Sequence, residues 1–533
     1  MGKTHQVIIS GTIIGLILAL SQPIYSLGIL VFLGFGLFFL AVKIIKEKHH
    51  LFWFGYLIGL LYFLFYFKWF LATDYPLLFT LFAWILTAGA LALLWGINAQ
   101  LCKKLDSKIS WPALLIFPSV FTFFEFLRSY LIGVFWVGRQ TLIGPNWTNG
   151  NLAYNLHQSF LALKISSWFG IYGVTFLIIF LSVLLFLFLE KRRYKKLLFL
   201  VLGIFILFYW PSPKSYLPAG RQVQHARLSL AEGGGPCNVP CVEISTLQTK
   251  VPTKNSYTPA EEASFFKSQL ELMDSISKDH PQTKLIVFPE ESNFFKNITL
   301  FKNTLGVSQY FADLFDSSVQ IIDNSQISEN DHFQSKTIFL DSKKGILGSY
   351  EKRLITPGAE YLPLIFTGLD KILGLNSSTV RGIKEYKPGE KLPTALQGLA
   401  LHVDNFRVTS LICADNLSPN LARQAAFSNL LVSQSSFGFA KGAEDLLAQD
   451  LAVSKFRAAE NSRYLIKSSN FGRSFIISDQ GKLEKITPNL DWQILTGSVV
   501  LKENKTLYNR VGDAPILWAS FAVLIASIFW RRL

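Results

Sequence analysis

Acidic side chains are scarce in the first 215 residues, where 5 Asp and Glu face 17 Lys and Arg, a balance of +12. Between Lys3 and Lys43 there is no Lys, Arg, Asp or Glu at all. A water-soluble domain does not leave so long an apolar stretch uncharged, so this part of the chain is read as membrane-spanning. Cysteine is almost missing: Cys102, Cys237, Cys241 and Cys413 are the four in 533 residues. None stands with histidines at metal-ligand spacing, which argues against a zinc site. Cys237 and Cys241 can pair if that segment is exported, though a four-residue spacing alone is weak evidence. A glycine-rich phosphate loop, an HExxH helix and a serine-centred elbow are also lacking, against nucleotide-binding, zincin and serine-hydrolase readings. No small-residue cleavage site follows the first apolar run, so it reads as a retained anchor, and Met1-Gly2 lacks the Ser or Thr that myristoylation needs at position six.

What is present is grease: 50% of residues are hydrophobic and 14% aromatic. Gln22-Pro23 breaks the first run into a helical hairpin, and further apolar segments cover 51–72, 77–100, 111–127, 168–189 and 196–210. Most approach the ~20 residues a bilayer requires, giving seven spans in 1–215. An eighth, Ala514–Trp530, ends in Arg531-Arg532. Basic loops (Lys3; Lys43, Lys46 and Lys48; Lys103, Lys104 and Lys108; Lys191 to Lys196) alternate with nearly uncharged turns. The positive-inside rule then places both termini in the cytoplasm and the long segment between spans seven and eight outside. Most of the net +15 therefore sits in membrane loops, which speaks for topology and against a nucleic-acid partner.

Residues 211–240 carry Pro211, Pro213, Pro218 and Gly233-Gly-Gly-Pro236 without periodicity, and 216–240 is read as a mobile linker or insertion. From 241 to 510 short β runs (242–248, 285–288, 319–323, 336–340, 408–412, 430–433, 464–467, 474–478) alternate with helical stretches such as 259–277 and 445–463, the pattern of a layered α/β domain. Gly481-Lys482 suits the turn of a late hairpin.

Three stretches of that domain carry chemistry. Val408–Asp415 reads as a strand delivering one thiol, Cys413, with a carboxylate at Asp415. Leu285–Glu290 ends a second strand in Pro-Glu, and Tyr350–Pro363 between them holds Lys352. A carboxylate to take a proton, an ammonium to hold an oxyanion and a thiol to attack make a complete acyl-transfer set. Each residue also has a plainer reading. A lone cysteine in a β run is most often inert core; Glu291 beside Glu290 competes for the same role, and one of the two must point away along a strand. Lys352 and Arg353 can both be solvated loop charges, Glu125 and Arg128 an ion pair at a span end, and Asn470 a turn cap.

The order Glu290, Lys352, Cys413 on alternating strands resembles the nitrilase (carbon–nitrogen hydrolase) superfamily, and its place between membrane spans resembles the apolipoprotein N-acyltransferase family. Glu125-Phe-Leu-Arg128 with Gly133-Val-Phe-Trp136, Phe169–Thr175, Tyr350–Pro363, Arg457-Ala-Ala-Glu460, Asn470-Phe-Gly472 and Gly512-Asp513 are all similar to that family's motifs. Departures are Cys413-Ala-Asp415 for Cys-Tyr-Glu, Pro357-Gly-Ala-Glu-Tyr361 for PFGEY, Phe135 for a proline, and Gln434-Ser-Ser-Phe-Gly438 for a tryptophan-bearing loop. They leave the catalytic three alone but touch residues that would shape the lipid pocket and lid.

The resemblance implies a polytopic α-helical membrane domain of about eight spans plus an extracytoplasmic nitrilase-like αββα sandwich, in a bacterial cytoplasmic (inner) membrane with the catalytic domain facing the periplasm or exterior. It also implies catalytic Glu290, Lys352 and Cys413, with Ala414 giving an oxyanion N–H and Glu360, Asp415 and Asn470 in support. The implied partners are a phospholipid donor such as phosphatidylethanolamine, a diacylglyceryl-modified apolipoprotein and the bilayer, with no metal or organic cofactor. Two alternatives share the same residues: a membrane-tethered amidase or nitrilase, for which one anchor would suffice, and an inactive membrane scaffold.

Overall fold

The computed structural model describes residues 3–106, 111–141, 146–209, 241–254, 257–301, 304–329, 332–373, 385–389, 401–403 and 406–530. The expected linker 216–240 and Cys237 lie outside them.

Eight apolar helices occupy the places read as spans: α1 (Lys3–Leu20), α2 (Leu30–Ile44), α3 (Lys48–Tyr66), α4 (Leu77–Leu105), α5 (Ala113–Phe135), α6 (Phe160–Glu190), α7 (Tyr194–Tyr209) and one at Ala514–Trp530. Four stretches, 48–72, 77–105, 113–135 and 160–190, are each long and apolar enough to cross a membrane. The outer faces of the helices are greasy: Phe199 is 76% exposed, Leu78 72% and Trp518 69%. So wide an apolar exterior is tolerated only in lipid. The span expected at 168–189 begins eight residues earlier, because α6 is two helices joined at Gly170, whose φ of +64° interrupts the helical path. The first of the two carries Lys164 and Ser167, which hid it from a search for unbroken apolar sequence.

Outside the helices, among the described residues, twelve strands form two six-stranded sheets. The first contains β1 (Cys241–Gln248), β2 (Leu285–Val287), β3 (Gln320–Glu329), β4 (His332–Asp341) and β5 (Gly345–Glu351); the second contains β6 (Leu401–Val403), β7 (Phe406–Ile412), β8 (Leu430–Ser436), β9 (Leu465–Asn470), β10 (Phe475–Ile477) and β11 (Leu483–Ile486). The last strand, β12 (Gln493–Val500), returns to pair antiparallel with β1 on the edge of the first sheet. In each sheet three strands pair in parallel, β1, β2 and β3 in the first and β7, β8 and β9 in the second, whereas β5 pairs antiparallel with β4.

Alternation of side chains sorts the layers. Leu285 and Val287 of β2, Val408 of β7 and Leu430 and Val432 of β8 meet between the sheets. Ile286 and Ile321 face outward to Phe266 and Met273 of α8 (Pro259–Asp279). On the other side Leu431 and Leu465 pack on Val453 and Phe456 of α9 (Glu444–Asn461), in one continuous core with the membrane helices. This is the expected αββα sandwich, with its second helical layer resting on the membrane part. Strands β5 and β12 were missed in the sequence because their half-exposed, glycine-bearing runs lack a closed apolar stretch, and β6 because three residues are too few to show a pattern.

Candidate active site

Glu290, Lys352 and Cys413 each follow the end of a strand. β7 stops at Ile412, and Cys413 opens a short 3-10 turn (Cys413–Leu417) with φ of +46°, a left-handed conformation costly for a side chain with a Cβ. That bend turns the thiol out of the sheet toward the ends of β2 and β5. Asp415 holds the bend in place. Its carboxylate accepts from the N–H groups of Leu354 (2.7 Å), Arg353 (3.2 Å) and Ile412 (3.3 Å) and from the Tyr350 hydroxyl (3.0 Å). It therefore ties the cysteine turn to the lysine loop rather than addressing the thiol. Burial pushes its pKa up to about 6, against those hydrogen bonds.

Lys352 follows β5 and is 2% exposed. Its ammonium lies 2.8 Å from Glu290 Oε1 and 2.7 Å from Glu360 Oε2, and donates to the Thr356 hydroxyl at 3.3 Å. Burial works against its charge, yet the two carboxylates hold its pKa well above the ordinary lysine value. Arg353 is no solvated loop charge either: it is 8% exposed, its guanidinium over the Tyr350 ring at 5.8 Å. Glu290, 5% exposed, takes the Ser436 N–H on its other oxygen at 2.8 Å. Glu360 accepts the Thr356 N–H at 2.7 Å, and burial raises its pKa despite Lys352. The Thr356 hydroxyl stands 4.0 Å from Cys413 Sγ. Burial and then the Glu290 charge push the thiol up to about 12, so at rest Cys413 is protonated.

Glu290, Cys413 and the pair Lys352 and Glu360 are thus brought together from three separate loops. Ala414 lines the same space beside the thiol. Asn470 stands one layer back, accepting from Thr249 (2.9 Å) and Val251 (2.8 Å) and donating to the Ser436 hydroxyl (3.1 Å), so it supports the residue that holds Glu290. Ser436, Thr356 and Gln434, whose amide donates to the Phe288 carbonyl at 2.7 Å, lie in stretches the sequence singles out but have no role there. A main-chain donor has no sequence signal, and a buried glutamine in a polar run has little. Glu125 and Arg128 do pair, at 2.9 Å, but enclosed within α5 rather than at an exposed span end. Among the described residues no cluster of His, Cys, Asp and Glu could hold a metal ion.

Cys413 sits where two cavities meet. One, of about 140 Å³, is apolar and runs toward the membrane helices, lined by Tyr66, Phe70, Phe79, Ala83, Trp136 and Phe366 among others. The other, of about 170 Å³, is polar and lined by Glu290, Glu291, Lys352, Glu360 and Tyr386. Thr356, Gly358, Tyr75 and Phe439 belong to both walls. The lysine loop is docked on the membrane part: Tyr361 donates its hydroxyl to the Trp136 carbonyl (2.7 Å), and the Tyr75 hydroxyl reaches the Gly358 carbonyl. The cysteine turn is docked too, Ser418 Oγ donating to Asn146 Oδ1 at 3.1 Å.

Comparison with known proteins agrees with the resemblance read from the motifs. Residues 14–184 match the family model of the apolipoprotein N-acyltransferase N-terminal domain. The chain is 24% identical to the apolipoprotein N-acyltransferase of Geobacter metallireducens, over 97% of this chain and 94% of that one. It is 23% identical to the enzyme of the same name from Shewanella oneidensis, over 82% and 77%. Among solved structures it is similar to a carbon-nitrogen hydrolase from Helicobacter pylori (14% identity, 55% of this chain and 94% of that one, TM-score 0.36). The N-terminal region thus matches the apolipoprotein N-acyltransferase family model, and relatives bearing that name align along most of the chain.

Proposed function

We propose that the protein moves a fatty acyl chain from a phospholipid, such as phosphatidylethanolamine, to the α-amino group of the N-terminal diacylglyceryl-cysteine of apolipoproteins. The observation that carries this reading is the position of Cys413 between an apolar cavity open to the membrane helices and a polar cavity lined with carboxylates. One suits an acyl chain, the other an incoming amine.

A thiol held protonated needs a base at the moment of attack. Glu290 fills that role, taking the proton as Cys413 adds to the ester carbonyl. Lys352, with the N–H of Ala414, holds the oxyanion. The proton then passes to the departing glycerol oxygen, lysophospholipid leaves, and a thioester remains on Cys413. The amine attacks that thioester through the same intermediate. A buried lysine between two glutamates adds little to stability and is better explained by chemistry. The active face lies outside the bacterial cytoplasmic membrane and both termini inside, as the loop charges imply.

In bilayers holding labelled phosphatidylethanolamine and a diacylglyceryl-cysteine peptide, the protein should transfer the label to the peptide amine. Turnover of a small soluble amide, with no transfer to the peptide, would favour the amidase reading and contradict this one.

A further inference from the structure

The polar cavity holds a carboxylate that this scheme leaves unused. On a continuing strand Glu290 and Glu291 would face opposite ways. Here β2 has already ended at Val287, and Glu291 takes φ of +63°, so both side chains reach the cavity. Glu291 is held in that pose: Asn324 Oδ1 accepts its N–H (3.0 Å), and Gln326 donates to its Oε1 (2.6 Å).

The surrounding charges are already matched. Lys352 is shared by Glu290 and Glu360, Lys254 pairs with Glu261 (2.6 Å), and Asp74 pairs with Lys441 (2.6 Å). Tyr386 and Tyr257 add neutral hydroxyls whose own ionisation Glu291 opposes. Among the described residues Glu291 has no cation at ion-pair distance. We propose that Glu291 is the acceptor subsite, capturing the protonated α-amine and taking the proton that must leave before its nitrogen can attack the thioester. The inference rests on the acyl-transfer reading above.

The protons balance. The ammonium gives one to Glu291; the freed lone pair forms the C–N bond; the second N–H proton goes to Glu290 and from there to Cys413 Sγ as the C–S bond breaks. Glu291 then releases its proton to water, so the sum is ammonium plus thioester to amide, thiol and one H⁺. Burial, then the Glu290 charge, lifts Glu291 to about 7. An α-amine near ~7.7–8.0 therefore gives up its proton at a cost of about tenfold, whereas an ordinary glutamate near ~4.3 would make that step more than about a thousandfold uphill.

The test separates the half-reactions in the full-length protein reconstituted in lipid. Glu291→Gln should form acyl-enzyme from phospholipid at the normal rate but discharge it to a diacylglyceryl-cysteine peptide about tenfold or more slowly near pH 6.5, with a raised KM for the peptide. The deficit should close above about pH 8.5, where the amine is neutral by itself. It should also vanish with hydroxylamine, which enters neutral, and Glu291→Asp should recover part of the loss. Discharge by Glu291→Gln with an unchanged pH profile would overturn the proposal. Loss of acylation in Glu291→Gln and Glu291→Asp alike would assign the residue to the fold and overturn it too. A wild-type protein that forms no acyl-enzyme would overturn the underlying reading, a failure visible before any variant is compared.

Discussion

Among single residues, a protonated thiol, a buried lysine and the carboxylates around them make up the candidate site. Cys413→Ser should abolish acyl-enzyme formation and transfer, because a glutamate base generates an alkoxide far less readily than a thiolate. Lys352→Ala should slow both half-reactions by ~10²–10³, and Lys352→Arg should not rescue, since a planar fork cannot replace a compact charge at one oxygen. Rates of acylation and of discharge, measured apart, check this; a loss in one step only would contradict a shared oxyanion role. Asp415 makes a different prediction. With a folded pKa near 6 against ~3.9 unfolded, it keeps its proton in the folded state over that interval. Its stabilising contribution is therefore complete below about pH 4 and lost as pH rises through about 6, up to about 3 kcal/mol. Asp415→Asn should flatten the decline of thermal stability between pH ~4 and ~7, and an unchanged slope would contradict the assignment.

Among the elements, the bend in α6 is the most exposed to a simple test. A Cβ at Gly170 would stand 2.5 Å from Tyr508 Cε2 and 2.9 Å from Asp513 Oδ1, on a backbone that already has positive φ. Gly170→Ala should cost ~1–3 kcal/mol, read as a lower unfolding temperature in detergent; no change would mean that the bend relaxes freely. The same element shows what the sequence could and could not tell. Apolar runs and basic loops mark the helices because a bilayer demands both over ~20 residues at a time. The kink escaped because glycine within a helix carries no sign of its φ. In the sandwich, strands with closed apolar runs such as Leu430–Ser436 were legible. Half-exposed β5 was not, although its end delivers Lys352. The lysine itself, the thiol and Glu290 were legible through the order of motifs. The contribution of Ser436 was not legible because it is a backbone N–H, nor was the burial of Arg353, which depends on packing against Tyr350 and not on residue type.

For the whole molecule, a helical membrane part supplies most of the apolar wall and the sandwich carries Glu290, Lys352 and Cys413, with Cys413 where the two cavities meet. A reporter fused after Lys250 should be extracytoplasmic and one after Leu533 cytoplasmic; finding both on one side would contradict the arrangement. Ala83 lines the apolar cavity, so Ala83→Phe should shorten the preferred acyl chain, slowing long-chain donors more than short ones. Equal effects on both would place the chain elsewhere. The most direct test is the intact mass of the protein purified from its membrane, with the modified peptide identified. One fatty acyl chain on Cys413, lost on adding a diacylglyceryl-cysteine peptide and absent from Cys413→Ser, is the predicted result. Transfer to the peptide with Cys413 never acylated, or with the acyl group on another residue, would contradict the account.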